Sequence, residues 1–202
     1  MYYENLKLYK VSKEYMNFLN EADFRVPKVE EYESDLVGTV VDLDEYSYFI
    51  PLTTHKFKHK LIKNSIDVIK LDEGKLGILN LNNMVPVTNN DVEMIDINNQ
   101  NLNSTYDIKN KILMNKQVRC LNREKVKEKV IKQANRLHKL VLNNSNEKLN
   151  KKCCDFALLE AKCDRYAALE FLKKPTKVEI KKKDSLLQKA STSKVTYKGF
   201  DR

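Results

Sequence analysis

The sequence contains no run that approaches the roughly 20 apolar residues a bilayer-spanning helix needs. It opens Met1-Tyr2-Tyr3-Glu4-Asn5, with no basic stretch leading into an apolar one. No secretory leader is therefore expected, and a cytoplasmic location is. Cysteines are few: Cys120, Cys153, Cys154 and Cys163. No second pair completes a zinc-binding spacing, and reduced structural thiols are the expectation. Three of them fall in a stretch that reads as helix, where adjacent Cys153 and Cys154 would point to different sides. No carboxylate cluster has metal-ligand spacing, so no metal or other cofactor is expected. No internal repeat is present.

What the chain does have is charge, unevenly spread. Its 202 residues are 42% hydrophobic and 32% charged, enough for one core beneath a heavily charged surface. The net charge of +9 is concentrated in two blocks. Residues 109–139 carry 11 basic and 2 acidic side chains, and residues 173–202 carry 10 and 3, whereas residues 1–50 carry 5 and 11. A basic block attracts polyanions and gains from counterion release, so a nucleic acid is the natural partner class. The plain alternative is a solubilising face and an unstructured tail.

The first half reads as strands. Leu6 to Val11 alternates. Ser12 then caps a helix of about three turns, with Tyr15, Met16, Phe18, Leu19 and Ala22 as its apolar stripe. Leu36 to Leu43, rich in β-branched residues, predicts a strand, and Tyr46 to Pro51 its hairpin partner across Asp44-Glu45. Ile66 to Leu71, Leu76 to Leu81, Met84 to Val87 and Val92 to Ile97 continue the pattern. Strands at this spacing predict a curled antiparallel sheet or a small barrel. From Ser104 the period changes. Helices are predicted to about Leu121, from Leu121 to Leu142, and from Cys153 to Leu172, the last with Phe156, Leu159, Cys163, Tyr166 and Ala167 inward. Glu160 falls on the edge of that stripe and needs a partner or solvent. His138 sits on a basic helix and is expected to be solvated. Residues 1–172 are thus read as one domain, and residues 173–202 as a basic, weakly ordered tail.

One segment carries chemistry. The short apolar run Tyr48-Phe49-Ile50 is strand-like and stops at a proline, Pro51. Thr53, Thr54, His55, Lys56, Lys58 and His59 follow directly. Hydroxyls, imidazoles and ammonium groups together suit a site that holds a phosphate and moves protons. The competing reading is a solvated basic turn.

Several pieces, in order, resemble the ToxN/AbiQ family, the endoribonuclease toxins of type III toxin–antitoxin and abortive phage-infection systems. They are Leu8-Tyr9-Lys10-Val11-Ser12-Lys13-Glu14-Tyr15, Arg25-Val26-Pro27, Val37-Gly38-Thr39-Val40-Val41, Ile50-Pro51-Leu52-Thr53-Thr54 with Lys56 and His59, Leu76 to Val87, and Cys154-Asp155-Phe156-Ala157-Leu158-Leu159-Glu160. The resemblance implies an α+β fold: a twisted antiparallel sheet related to the small MazF/Kid barrel, flanked by helices, with a helical C-terminal half. It implies metal-independent RNA cleavage to a 2′,3′-cyclic phosphate and a 5′-hydroxyl. It also implies inhibition by a small tandem-repeat antitoxin RNA held in a closed protein–RNA assembly, with cellular or phage RNA as substrate.

Tyr15, Thr53, Thr54 and Lys56 fall on what resembles the family's active-site pattern, and His59 fits it. Tyr32 matches a second tyrosine. Transesterification needs the 2′-hydroxyl deprotonated and aligned, the phosphorane's charge stabilised and the leaving oxygen protonated. Lys56 suits charge stabilisation, Thr53 and Thr54 hydrogen bonding to the phosphate, and His59 proton transfer. His55 does not fit the pattern and is read as a surface residue. For RNA binding the candidates are Lys58, Lys60, Lys116, Arg119, Arg123 and Lys127, with Tyr9, Tyr32, Phe57 and Tyr106 available for base stacking. The alternative is a non-enzymatic RNA-binding regulator.

Overall fold

The computed structural model describes residues 4–28, 36–54, 65–99 and 104–173. The predicted tail beyond Lys173, Tyr32 and the segment from His55 to Asn64 lie outside these residues. The chain divides into two units, Met1–Asp164 and Arg165–Arg202.

The sheet grows from β-branched runs closed by tight turns. Its strands are β1 (Tyr9–Val11), β2 (Val37–Leu43), β3 (Tyr46–Thr53), β4 (Val68–Leu71), β5 (Gly77–Asn80), β6 (Val85–Val87) and β7 (Val92–Met94). The order is β4-β5-β3-β2-β1-β7, with β6 branching from β3, and every pairing is antiparallel. Among the described residues the two end strands, β4 and β7, are not paired, so the sheet is open rather than a closed barrel. The β2–β3 hairpin turns at Asp44, whose φ of 52° is the left-handed conformation an aspartate tolerates.

β3 is the hub. One edge pairs with β2 along its length, from Leu43↔Tyr46 to Gly38↔Pro51. The other edge is shared: Ser47 to Phe49 face β6, and Leu52 and Thr53 face β5. Tyr48, Phe49 and Ile50 are fully buried. Gly38 is required here. A Cβ on it would lie 2.3 Å from the Ile50 carbonyl oxygen and 2.6 Å from the Phe49 ring.

Five helices are described: α1 (Lys13–Ala22), α2 (Thr105–Leu121), α3 (Glu124–Leu142), α4 (Glu147–Lys152) and α5 (Phe156–Lys173). Ser12 caps α1 and Ser104 caps α2, each accepting from the third residue on. Tyr15, Met16 and Leu19 bury the inner face of α1. Side-chain bonds pin the other helices. Asn122, at the end of α2, brackets Leu6 with two bonds of 2.8 Å, as a neighbouring strand would. Gln117 donates to the Leu76 carbonyl, and Gln133 to those of Ser65 and Ile66.

Three expectations are corrected. α4 has no counterpart among the predicted helices. Cys153 and Cys154 precede α5 instead of lying in it: Cys153 is extended, and the Cys154 amide donates to the Asn82 carbonyl at 2.8 Å. Ala167 is exposed on α5, while Phe156, Leu159 and Cys163 are buried as expected.

His138 is also corrected. It is only 3% exposed, in the core between β3, α3 and α5. Its Nε2 lies 2.8 Å from Glu160 Oε1, and the Tyr48 hydroxyl donates to that same oxygen at 2.7 Å. The Phe156 ring packs at 5.7 Å from both aromatic partners. Burial overrides the charged helix face because the buried imidazole has a carboxylate and a phenol to bond with. Glu160 thereby gains the partner its position required.

Candidate active site

The strand end is built by backbone geometry before any side chain acts. Pro51 has no N–H, and the Leu52 and Thr53 positions are held by pairing with Leu79 and Ile78. Gly77, at φ 111°, lets β5 press against this end, for a Cβ there would sit 2.3 Å from the Thr53 carbonyl oxygen. Thr53 is half-buried, and its Oγ1 accepts a 2.6 Å bond from Asn80 Nδ2. Because this oxygen accepts from Asn80, the hydroxyl's own hydrogen is chemically able to donate. Thr54, just past the strand, is exposed. Lys56, Lys58, His59 and Lys60 lie outside the described residues.

Beyond Asn80 the chain makes a 3-10 turn, Leu81–Asn83. The Asp67 carbonyl accepts from the amides of Leu81 and Asn82. Burial would raise the Asp67 carboxyl, but its bonds to Lys152 and Ser65 overcome this and hold it below the ordinary carboxylate value.

A cleft of about 350 Å³ opens beside the strand end. It is lined by Pro51, Asn80 and Asn83 on one side and by Phe24 to Lys28, the loop after α1, on the other. Asp23 organises that loop. It is buried, and its two oxygens accept from Arg25 N at 3.0 Å, Arg25 Nε at 2.8 Å and Asp155 N at 2.7 Å. Burial pushes the Asp23 carboxyl up, yet the Arg25 side chain and the two amides outweigh it, leaving it below its ordinary value. Arg25 also donates to the Asn150 carbonyl, and Asn83 donates to the Arg25 carbonyl. Arginine, lysine and amide groups around such a cleft can hold a phosphate-bearing strand.

Tyr15 is placed in the core. It has no exposure, and its hydroxyl donates to the Pro86 carbonyl at 2.7 Å. Burial raises this phenol well above its ordinary value. In this conformation the side chain locks α1 to β6 and presents no group to the cleft. Of the RNA-binding candidates, Lys116 and Arg119 are exposed on α2, Arg123 is exposed at the cap of α3, and Lys127 is half-buried in its first turn.

The cysteines are all free and buried. Burial drives the Cys153 thiol up to about 11, so it is protonated and unreactive at neutral pH. Among the described residues no group of three or more His, Cys, Asp or Glu side chains is arranged to hold a metal ion. Nor is any described helix long and apolar enough to cross a membrane. Phe24, Lys28 and Asp23 have no marked role in the sequence itself. Their one signal was position, an aromatic, a cation and a carboxylate just past the apolar stripe of α1.

The family model described as toxin ToxN of type III toxin–antitoxin systems matches residues 7–164. A protein named endoribonuclease ToxN, from Bacillus thuringiensis subsp. kurstaki, is 33% identical over 172 residues, covering 81% of this chain and 85% of that protein. Endoribonuclease AbiQ of Lactococcus lactis subsp. lactis is 27% identical, covering 80% and 90%. A solved structure described as showing selective toxin inhibition by a non-coding RNA pseudoknot superposes with a TM-score of 0.69 at 29% identity, covering 81% of this chain and 99% of that one.

Proposed function

We infer the reaction from kinship: this chain belongs to the ToxN family of type III toxin–antitoxin toxins. It is an endoribonuclease, and its partner is an antitoxin RNA. The names of these relatives favour the enzyme over a non-catalytic RNA-binding regulator. On this reading the protein cleaves RNA in the cytoplasm as a sequence-selective toxin of phage defence. Its partner is a small tandem-repeat RNA that encloses it until release.

The observation that carries the site assignment is the strand end: Thr53 oriented by Asn80, Thr54 exposed beside it, and a cation-bearing cleft alongside. The proposed step is an in-line transesterification. The 2′-oxygen loses its proton and bonds to phosphorus, the bond from phosphorus to the 5′-oxygen breaks, and that oxygen takes up a proton. The products are a 2′,3′-cyclic phosphate and a 5′-hydroxyl. Thr53 and Thr54 donate to the non-bridging oxygens, and Lys56, two residues on, meets the charge that develops on the phosphorane. His59 carries a proton. No step calls for a metal. Tyr15 enters as the residue that fixes α1 behind the sheet. Lys58, Lys60, Lys116, Arg119, Arg123 and Lys127 neutralise backbone phosphates, and Tyr32 stacks or hydrogen-bonds near the cut.

The test is turnover in Thr54→Ala and Lys56→Ala. Both are expected to abolish growth inhibition and RNA cleavage while RNA binding persists. Wild-type-like cleavage by both would remove the site from this strand end.

A further inference from the structure

We propose that Phe24 is a base-stacking platform, seating the nucleobase next to the scissile phosphate of the substrate strand in the cleft beside β3. This deepens the endoribonuclease assignment and rests on it.

The ring stands out because it is 85% exposed on a loop that is otherwise firmly tied. The Asp23 amide donates to the Leu19 carbonyl at 3.0 Å, and the Val26 amide to the Asp23 carbonyl at 3.0 Å. Asn20 donates to the Val26 carbonyl at 2.6 Å, and Asn83 to the Arg25 carbonyl at 2.6 Å. Arg25 is locked to Asp23 and Asn150. Fixed backbone beneath a solvent-facing phenyl group presents an aromatic plane at little further entropic cost on binding.

Three features make RNA the occupant. Lys28 lines the cleft and brings an ammonium to it, while Arg25, paired with Asp23, lies with its guanidinium carbon 6.0 Å from the Phe24 ring centroid, so a phosphodiester entering there meets the Lys28 charge. Pro51, Asn80 and Asn83 line the same cleft, and the two side-chain amides give it hydrogen-bonding groups for a base edge or a phosphate. Asn80 belongs to both places: it lines the cleft and also holds the Thr53 hydroxyl. A phosphate at Thr53 and a base against Phe24 are therefore neighbours through one side chain. Single-stranded RNA is held in this way, by cations on the backbone and aromatic faces under the bases.

The experiment uses the full chain and a short RNA oligonucleotide carrying its cut site, mapped first with wild type on total RNA. Phe24→Ala is expected to lose about 5- to 100-fold in kcat/KM, with thermal stability unchanged because the ring is exposed. Phe24→Trp restores it, and Phe24→Leu does not. An abasic nucleotide flanking the cut should slow wild type by a similar factor and slow Phe24→Ala no further. Equal cleavage by wild type and Phe24→Ala, or penalties that simply multiply, overturns the platform. A wild-type protein that cuts no RNA overturns the endoribonuclease assignment instead.

Discussion

Asp23→Asn tests whether one buried carboxylate holds the cleft in shape. Its two oxygens accept three N–H bonds, two from Arg25 and one from the amide of Asp155 at the start of α5. Hydrogen bonds to a buried charge contribute about 1.5–3 kcal/mol each. Asparagine keeps a single oxygen and turns its NH₂ toward an N–H it cannot accept from, and it leaves the Arg25 guanidinium without its counter-charge. The expected loss is about 2–4 kcal/mol, or about 5–15 °C in Tm for a chain of this size. Urea unfolding at pH 7 measures it directly. The pH dependence has a definite sign. The folded-state value of Asp23 lies below its ordinary 3.8, so its stabilisation is complete above that pH and disappears as pH falls through the lower folded value. The difference between wild type and Asp23→Asn should therefore be full at pH 7 and close in the acid range below 3.8. A difference under about 0.5 kcal/mol at pH 7, the scale of an ordinary surface substitution, would overturn this role for Asp23, as would a difference unchanged at low pH.

Other outcomes follow from the same geometry. Gly77→Ala forces a non-glycine residue to φ 111° and a Cβ onto the Thr53 carbonyl, so it should destabilise by about 1–3 kcal/mol and lower RNA cleavage. A variant with native Tm and native rate would show that the strand end tolerates displacement. Tyr15→Phe leaves the Pro86 carbonyl without its donor and should cost about 1–3 kcal/mol in urea unfolding with turnover preserved. Lost turnover at unchanged stability would instead place Tyr15 at the substrate. Tyr48→Phe removes one of two bonds to Glu160 Oε1 and should cost about 1–2 kcal/mol, with His138 and Glu160 still paired.

Local signals carried most of the fold. Ser12 ahead of an apolar stripe marks α1, and β-branched runs around Asp44-Glu45 mark the β2–β3 hairpin, because capping and alternation act over a few residues. What escaped depends on partners far along the chain. His138 lies beside Arg136 and Lys139 and reads as solvated, yet its partners are Tyr48, 90 residues away, and Glu160, 22 away. Cys153 and Cys154 read as helical from their neighbours, but the Asn82 carbonyl holds the chain extended there. α4, with the sequence Glu-Lys-Leu-Asn-Lys-Lys, has no apolar stripe, and its one local mark is the Asn146 cap. At the site, Thr53 and Thr54 were legible as hydroxyls ending a strand. Phe24 was not, since only the fold brings the loop after α1 alongside, and Asn80 stood in the Leu76 to Val87 block without its partner Thr53, which only the β3–β5 register supplies.

An RNA transesterification at the end of β3 is tested most directly by the chemistry of the product ends. Wild-type protein incubated with RNA in excess EDTA should leave 2′,3′-cyclic phosphate and 5′-hydroxyl termini, and Thr54→Ala should leave the RNA whole. Fragments bearing 5′-phosphates, or cleavage that stops when divalent ions are chelated, would contradict it.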